Sequence, residues 1–322
     1  MIRQAYRLHK AGVMGLNERN LRLVAELNPR RLMHLVDDKT VTKQLAIEAG
    51  IPTPELYGVI RNAYDKRHLT RYLSHPDGAV LKPAKGSQGN GILIISGQMK
   101  GGDYRLGNGQ RISLEDVRYH TSNIRSGMYS LSGQPDITMI EALVQFDDVF
   151  SEISFRGVPD IRIIVLKGIP IAAMLRLPTA ESDGKANLHK GGIGVGVNLI
   201  TGTTTHGVQH GRMTDIHADT ANPLAGLTVP HWEEMLVMAS QAYDVTGLGY
   251  LGADIVIDKN RGPLLLELNA RPGITIQVAN RTGLRPHVNQ VLALSDTVST
   301  STERIALAKT LFETAVVNAN AA

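Results

Sequence analysis

Three oxygen-bearing side chains in the C-terminal third of the sequence have a spacing that suits a divalent cation. Asp254 lies in one apolar run, and Glu267 and Asn269 lie two residues apart in the next. Side chains two residues apart on a strand share a face, and a tight turn at 260–262 returns the second strand beside the first. Two carboxylates and an amide, without imidazole or thiolate, favour Mg²⁺ or Mn²⁺ over zinc. A solvated strand face is the alternative, but the leucines around Glu267 disfavour it.

A glycine-rich loop follows a predicted strand that ends at Lys82. The loop, PAKGSQGNG, contains Gly86, Gly89 and Gly91. Glycines allow backbone amides to approach a phosphate closely, and a lysine bridges phosphates as a point charge. The glycine spacing and the strand after the loop match neither a Walker loop nor a dinucleotide-binding fingerprint. We therefore favour phosphate binding over the alternative of a plain hairpin turn.

Helices and β-type runs alternate around these residues. Apolar periodicity and end signals predict helices at 18–34 with a break at Pro29, 37–50, 65–74, 113–125, 230–246 and 302–317. Strands are predicted at 79–82, 92–96, 139–144, 160–168, 169–178, 252–258 and 263–269. The glycine- and polar-rich stretch 179–228 is predicted to be irregular, and His206 and His210 within it are interpreted as surface-loop residues. The mixture predicts an α+β fold with antiparallel sheets.

Local signals add detail to two of the helices. Asp37 or Asp38 caps the helix at 37–50. Its apolar face is predicted to comprise Val41, Leu45 and Ala46. The helix at 230–246 is predicted to carry Pro230 in its first turn, where a missing N–H costs nothing. Its core face is predicted to comprise five residues: Trp232, Met235, Leu236, Met238 and Ala239.

Composition excludes several classes of protein. The 322 residues are 43% apolar, and no apolar run approaches the roughly 20 residues of a membrane helix. The basic N-terminus lacks the apolar core of a secretory signal. No cysteine is present, which excludes disulfides and thiolate chemistry and fits a cytoplasmic location. A net charge of +4, scattered along the chain with only 4% aromatic residues, argues against nucleic-acid binding and fits anionic small molecules.

The order of these motifs resembles that of the ATP-grasp superfamily. In chain order they are Asp38–Lys39, Lys82 with its glycine loop, Glu141, Asp160–Ile161–Arg162, NLHKGG from Asn187, Asp254, and Glu267–Leu268–Asn269. Within the superfamily the chain is most similar to the RimK-like α-L-glutamate ligases, which join an amino acid to a carboxylate. The resemblance covers residues 37–286. It implies two α+β subdomains with antiparallel sheets that grip ATP.

The resemblance also implies a division of the chain into four segments. These are a short helical segment at 1–36, an N-terminal subdomain with the glycine-loop lid at 37–140, a C-terminal subdomain at 141–290 and a helical tail at 291–322. Relatives begin with a Rossmann-like domain, and only about 36 residues precede Asp38 here. We therefore expect that domain to be reduced or absent, and a partner protein or a second subunit to complete the acceptor site.

Residue roles follow from the same resemblance. Lys39 and Lys82 would contact the α- and β-phosphates, beneath a lid formed by Gly86, Ser87, Gln88 and Gly89. The hinge that receives adenine would comprise Glu141, Ala142 and Leu143. Asp160 would bind the ribose. Arg162 would stabilise the transferring phosphoryl group, and Lys185 and Asn187 would lie near the γ-phosphate with His189 and Lys190. Arg271 would stabilise a tetrahedral intermediate. The metal ligands Asp254, Glu267 and Asn269 would hold two Mg²⁺ or Mn²⁺ ions.

The implied reaction is ADP-forming ligation through an acyl-phosphate. Such a reaction needs positioned lysines, arginines and divalent cations rather than a nucleophilic triad. The implied substrates are ATP, an amino acid such as glutamate, and a carboxylate on a peptide, a protein or a small molecule. Sugar- or capsule-associated ATP-grasp ligases are a further alternative for the subfamily, and homo-oligomers are common among such enzymes. Two other functional classes stay open: a regulatory or scaffolding subunit that binds ATP, and a kinase-like phosphotransferase.

Overall fold

The structure is a computed structural model and describes residues 2–86, 89–130, 133–294 and 300–320. Its helices are α1 (Ile2–Lys10), α2 (Leu16–Glu18), α3 (Arg30–Asp37), α4 (Lys39–Glu48), α5 (Leu69–Leu73), α6 (Leu114–Arg125), α7 (Trp232–Thr246), α8 (Ile276–Ala279), α9 (Arg285–Leu292) and α10 (Ser301–Asn320). A π-helix at Arg19–Ala25 continues α2, and 3₁₀-helices occupy Tyr64–His68, Asp148–Ile153 and Leu188–Lys190.

The strands form two sheets. They are β1 (Leu56–Ile60), β2 (Ala79–Pro83), β3 (Leu93–Gln98), β4 (Tyr104–Leu106), β5 (Arg111–Ile112), β6 (Thr138–Ala142), β7 (Asp160–Leu166), β8 (Ile169–Leu177), β9 (Ile193–Val197), β10 (Thr204–Gln209), β11 (Arg212–Thr214), β12 (Tyr250–Asp258) and β13 (Gly262–Asn269). One sheet has the order β1-β6-β2-β3-β4-β5 and the other β11-β10-β9-β8-β7-β12-β13. Neighbouring strands in both sheets are antiparallel, which confirms the predicted α+β class.

The chain divides into two compact units. The larger unit comprises Met1–Asp37, Leu45–Pro52 and Phe146–Ala322, and the smaller unit comprises Asp38–Gln44 and Thr53–Gln145. Helix α4 begins in the smaller unit and ends in the larger one. The division into four segments at 36, 140 and 290 stays a prediction.

The larger unit is built on the seven-stranded sheet. Strands β7, β8 and β12 are buried along almost their whole length, because α7 and α10 pack against the sheet. The five predicted core residues of α7 are all buried, as its apolar spacing requires. Strands β12 and β13 form the predicted hairpin, in which the buried Asp258 side chain accepts hydrogen bonds from the Asn260 and Arg261 amides of the turn.

The smaller unit is built on the six-stranded sheet with its own apolar core, which includes Leu81, Ile95, Val117 and Ile140. Strands β2 and β3 are antiparallel neighbours on either side of the glycine loop, as predicted. Helix α6 begins at the capping box formed by Ser113 and Asp116, which satisfies two amides at the helix start.

Three interpretations of secondary structure are wrong. The stretch 179–228 contains β9, β10 and β11, and His206 lies on β10 rather than in a loop. Its glycines hid the strands because glycine weakens a β-type pattern. Pro230 precedes α7, whose first turn begins after His231 in a left-handed conformation (φ 55°). The buried positions of α4 are Thr42, Lys43 and Ala46, whereas Val41 and Leu45 are only half-buried.

None of the described helices is both long enough and apolar enough to span a membrane.

Candidate functional site

Asp254 lies at the centre of a charged cluster on the seven-stranded sheet. It is paired with Arg162 on β7 and with Glu267 on β13. Arg162 Nε donates to Asp254 Oδ1 at 2.7 Å, and Arg162 Nη2 donates to Oδ2 at 2.6 Å. Asn269 Nδ2 donates to the same Oδ2 at 3.3 Å, and the Glu267 side chain hydrogen-bonds Asp254. The register thus brings together the three predicted cation ligands and adds Arg162.

A second arginine, Arg176, joins two aspartates of this cluster and was missed in the sequence. On β8 it pairs with Asp160 of β7, donating from Nε to Oδ1 and from Nη2 to Oδ2, the latter at 2.7 Å. The same Nη2 lies 2.8 Å from Asp254 Oδ2. Both oxygens of Asp160 therefore contact Arg176. The signal was available, because Arg176 is the only charged residue in the apolar run of β8.

Burial and charge act in opposite directions on the carboxyl groups. Burial disfavours ionisation of Asp254, but the attraction of Arg162 and Arg176 outweighs it and lowers the pKa of Asp254. For Asp160, burial is the largest effect and raises its pKa to about 6, against the lowering by Arg176 and with a further rise from the charge of Asp254. Burial lowers the pKa of Arg176, but Asp160 and Asp254 raise it overall.

The donor set fits a divalent cation. Asp254 and Glu267 are paired across β12 and β13 and their side chains interact, so two carboxyl groups lie together. Asn269 lies two residues after Glu267 on the same strand face, and its amide nitrogen donates to Asp254. Such hard oxygen donors suit Mg²⁺. No larger group of three or more His, Cys, Asp or Glu side chains that could bind a metal occurs within 2–86, 89–130, 133–294 and 300–320.

The smaller unit contains a second buried ionic cluster. Glu141 on β6 is 3% exposed and contacts two lysines: Lys43 Nζ lies 2.7 Å from Oε1, and Lys82 Nζ lies 2.5 Å from Oε2. Burial acts to raise the pKa of Glu141, but the charges of Lys82 and Lys43 outweigh burial and lower it. Lys43 was not predicted as a site residue. Its signal was weak, because a lysine in a helix is usually solvated.

The start of α4 contacts the glycine loop within the smaller unit. Lys39 Nζ donates to the Gly86 carbonyl at 2.7 Å, and the Lys39 amide donates to Ala84 at 3.0 Å. Packing also requires glycine at position 86, because a Cβ there would lie 2.2 Å from Pro83 Cγ. Gly89 has φ +70°, a left-handed conformation that favours glycine. Ser87 and Gln88 lie outside the described residues.

The remaining predicted nucleotide-binding residues and Lys185 make local contacts. Ala142 ends β6 and is followed by Leu143, and the Ala142 amide donates to Glu55. Lys185 is exposed and pairs with Asp183 at 3.3 Å.

Three further side chains near the larger sheet make local contacts. Asn187 caps the 3₁₀-helix that holds His189 and Lys190. Arg271 is half-exposed and lies 4.0 Å from Asp37. His210 Nε2 lies 2.8 Å from Glu181 Oε2.

Comparison with known families decides the superfamily. Residues 18–293 match the family described as sugar-transfer associated ATP-grasp. The chain belongs to this family. The ATP-grasp superfamily and fold predicted from the sequence are therefore confirmed, whereas the narrower RimK-like assignment is not shown. Comparison of this ATP-grasp chain with curated protein sequences gave no significant match.

Solved structures give the same fold. The ATP-grasp chain is similar to a biotin carboxylase from Campylobacter jejuni in complex with a nucleotide, with a TM-score of 0.50 and 16% identity over 92% of this chain and 57% of that one. Weaker similarities are to the ATP-grasp ligase PsnB with a minimal precursor (TM-score 0.43, 14% identity, 83% and 63% of the two chains) and to a RiPP-associated ATP-grasp ligase of Chryseobacterium gregarium with ADP, leader and core peptide (0.44, 15%, 85% and 64%). The chain thus spans less than two thirds of these relatives.

Proposed function

We propose that this chain is an ATP-dependent, ADP-forming carboxylate–amine ligase. The observation that carries the proposal is the cluster of Asp254, Glu267, Asn269 and Arg162 on adjacent strands of an ATP-grasp chain. Carboxylates at this density, balanced by buried guanidinium groups, are expected where a cation and a polyphosphate bind together.

The proposed reaction has two steps. A carboxylate oxygen attacks the γ-phosphorus of ATP, the bond between that phosphorus and the β–γ bridging oxygen breaks, and ADP leaves. An amine nitrogen then attacks the acyl carbon, the carbon–oxygen bond to phosphate breaks, and inorganic phosphate and an amide result after the amine loses a proton. Because phosphoryl transfer depends on positioning and charge neutralisation, arginines and lysines provide most of the protein's contribution.

In the larger unit, Arg162 and Arg176 hold the Asp254 carboxylate in one orientation through three hydrogen bonds or ion pairs. We assign Asp254, Glu267 and Asn269 as the residues that would hold Mg²⁺. When bound, the ions supply charge neutralisation for the nucleotide phosphates. Arg162 remains the residue proposed to stabilise the transferring phosphoryl group. Arg271 remains proposed for the tetrahedral intermediate, and Lys185 and Asn187 remain proposed for the γ-phosphate.

In the smaller unit, we assign Lys82 and Lys39 to the nucleotide phosphates and the backbone after Glu141 to the adenine. Lys82 is buried and fixed by Glu141, which favours a defined position for its ammonium group. The contact of Lys39 with Gly86 supports a joint role of this lysine and the glycine loop. Asp160 is proposed for the ribose, although its two oxygens contact Arg176 in this structure.

The proposed substrates are an amino acid such as glutamate as the amine and a peptide, protein or small molecule as the carboxylate. The family description associates its members with sugar transfer. Acidic sugars therefore belong among the acids to be tested. A cytoplasmic location and a partner that completes the acceptor site are further parts of the proposal.

The decisive experiment traps the intermediate. The chain is incubated with MgATP, hydroxylamine and a panel of carboxylic acids that includes amino acids, peptides and uronic acids, and hydroxamates are detected by mass spectrometry. A ligase is expected to form an ATP-dependent hydroxamate with at least one acid. Glu267→Gln should abolish it, whereas Glu115→Gln at the start of α6 should not.

Other outcomes identify the alternatives. ATP binding without any hydroxamate, with amines or partner proteins added, would indicate a regulatory or scaffolding subunit. A phosphorylated product that resists hydroxylamine would indicate a kinase-like phosphotransferase. A wild-type chain that does not bind ATP would refute both the ligase and these alternatives.

A further inference from the structure

Lys43, Glu141 and Lys82 form a buried ionic triad in the smaller unit, and we call it the two-lysine triad. Lys43 is 6% exposed, Lys82 is 7% exposed and Glu141 is 3% exposed. One carboxylate oxygen of Glu141 contacts each lysine, at 2.7 Å for Lys43 and 2.5 Å for Lys82. Lysine and glutamate are rarely buried to this degree unless they are paired.

Three elements fix the triad. Glu141 on β6 pairs with Val80 on β2, so Lys82 lies two residues further along β2 on the same face. Lys43 approaches from α4, one turn after Lys39, and its Nζ also donates to the Pro54 carbonyl at 2.5 Å. Lys43 is thus held at two acceptors by well-defined elements, which makes it part of the sheet's polar interior rather than a solvated helix residue.

The formal charge of the triad is uneven. Two ammonium groups share a single carboxylate, so the three side chains carry one positive charge in excess. A buried excess charge is costly unless an opposite charge arrives. A phosphate group is an opposite charge of the kind that Lys82 is proposed to bind.

We propose that Lys43 is a positioning residue. It contacts one oxygen of Glu141 and neutralises the carboxylate charge, so that the positive charge of Lys82 is available to a nucleotide phosphate. The inference rests on the proposed function, because it assumes that Lys82 binds ATP. Without Lys43, Glu141 and Lys82 form a neutral pair. A phosphate must then compete with Glu141 for the same ammonium group.

A double variant separates a charge role of Lys43 from a purely structural role. Lys43→Met removes the excess charge, but Lys43→Met combined with Glu141→Gln restores it, because Lys82 then faces a neutral amide. Removing a second buried partner is expected to recover phosphate affinity. A purely structural role for Lys43 predicts the reverse, since each removal deletes a further contact of the interior.

The test compares nucleotide affinities by isothermal titration calorimetry with ATP, ADP and adenosine. For Lys43→Met, the affinity for MgATP and MgADP is expected to fall about tenfold or more, the scale of one charge-assisted contact. Adenosine affinity should change less than roughly twofold, since adenosine has no phosphate. Lys43→Arg should retain most of the ATP affinity, and Lys43→Met/Glu141→Gln should recover a measurable part of the loss. Lys66→Met, on the 3₁₀-helix at Tyr64–His68, is the matched control in the same unit.

Several results would overturn the inference. Unchanged ATP affinity in Lys43→Met would remove the role, as would equal losses for ATP and adenosine or a further loss in the double variant. Thermal unfolding of each variant shows whether it folds. If Lys43→Met does not fold, the double variant and Lys43→Arg decide whether the inference holds. A wild-type chain without ATP affinity would refute the proposed function together with this inference, whereas normal wild-type binding with an unaffected Lys43→Met would refute the inference alone.

Discussion

Asp160 and Asp254 are buried carboxylates that depend on two arginines for their charge balance. Arg176 contacts both of them, and Arg162 contacts Asp254 with two hydrogen bonds. Desolvating such groups costs several kcal/mol each, and only well-formed pairs repay it. The arrangement is therefore better understood as a means of holding Asp254 in one orientation than as a source of stability.

Arg176 is expected to be essential for this balance. Arg176→Leu would leave two buried aspartates side by side and should lower the free energy of unfolding by about 3–5 kcal/mol. Urea unfolding of the wild type and the variant measures the loss. In Arg176→Leu/Asp160→Asn the destabilisation should be smaller than in the single variant, because one uncompensated carboxylate is gone. Additive or larger losses in the double variant would contradict this electrostatic explanation.

At the scale of elements, strand register and helix docking decide which side chains meet. Asp254 contacts Arg162 because β7 and β12 pair at those residues, and a bulge between Asp254 and Ile255 keeps Glu267 opposite Asp254 on β13. A one-residue slip would turn each side chain to the other face of the sheet. Side-chain contacts also hold helices against the larger sheet, and His287 on α9 makes one of them.

His287 links α9 to the sheet and should make stability depend on pH. Its Nδ1 lies 2.9 Å from the Ile171 carbonyl, and its ring packs on Phe312 with centroids 4.1 Å apart. Burial lowers the pKa of His287 below its usual value, against a smaller rise from the Ile171 hydrogen bond. The unfolded chain therefore binds the proton more readily than the folded chain. The contribution of His287 to stability is present above about pH 6.5 and is lost as the pH falls through the lower pKa of the folded state.

Urea unfolding at pH 7.5 and at pH 5.5 measures this effect. The stability of the wild type should fall between these pH values by more than that of His287→Gln, at about 1.4 kcal/mol for each unit of pKa difference. His34→Gln, an exposed histidine on α3, is the control and should behave like the wild type. Equal pH dependence in the wild type and His287→Gln would show that His287 does not carry the effect.

For the whole molecule, the chain passes between the two units four times, at 37/38, 44/45, 52/53 and 145/146. Each unit has its own apolar core around its own sheet. The proposed phosphate lysines belong to the smaller unit and the proposed cation ligands to the larger unit. Because the proposed cation ligands would neutralise nucleotide phosphates through Mg²⁺, nucleotide binding should depend on the divalent cation.

Cation removal provides the corresponding test. MgATP at one hundred times its dissociation constant should stabilise the folded chain by about 2.7 kcal/mol, which is measurable as a rise in Tm. EDTA is expected to abolish most of that rise in the wild type, and Glu267→Gln should show little rise even with Mg²⁺. MgCl₂ without nucleotide is the control. A rise in Tm that ATP alone produces in the presence of EDTA would argue against a cation-dependent site.

The sequence by itself determined the features that depend on local patterns. Alternation placed Glu267 and Asn269 on one face, and the turn after Asp258 returned β13 beside β12. The bulge between Asp254 and Ile255, which sets Glu267 opposite Asp254, was not predicted. The capping box at Ser113 set the start of α6. The order of the motifs identified the superfamily, because it survives differences in the residues between them.

Tertiary structure alone decided which buried charges pair and whether the glycine-rich segments form strands. Arg176 and Asp160 are separated by sixteen positions, and Lys43 is far from Glu141 in sequence, so no local pattern pairs them. Their meeting depends on the β7–β8 register and on the position of α4, from which Lys43 reaches Glu141 on β6. Strands β9 to β11 likewise depend on pairing in series, β9 with β8, β10 with β9 and β11 with β10, rather than on their own glycine-rich residues. A charge buried by distant chain segments is invisible in sequence until folding brings its partner within hydrogen-bonding distance.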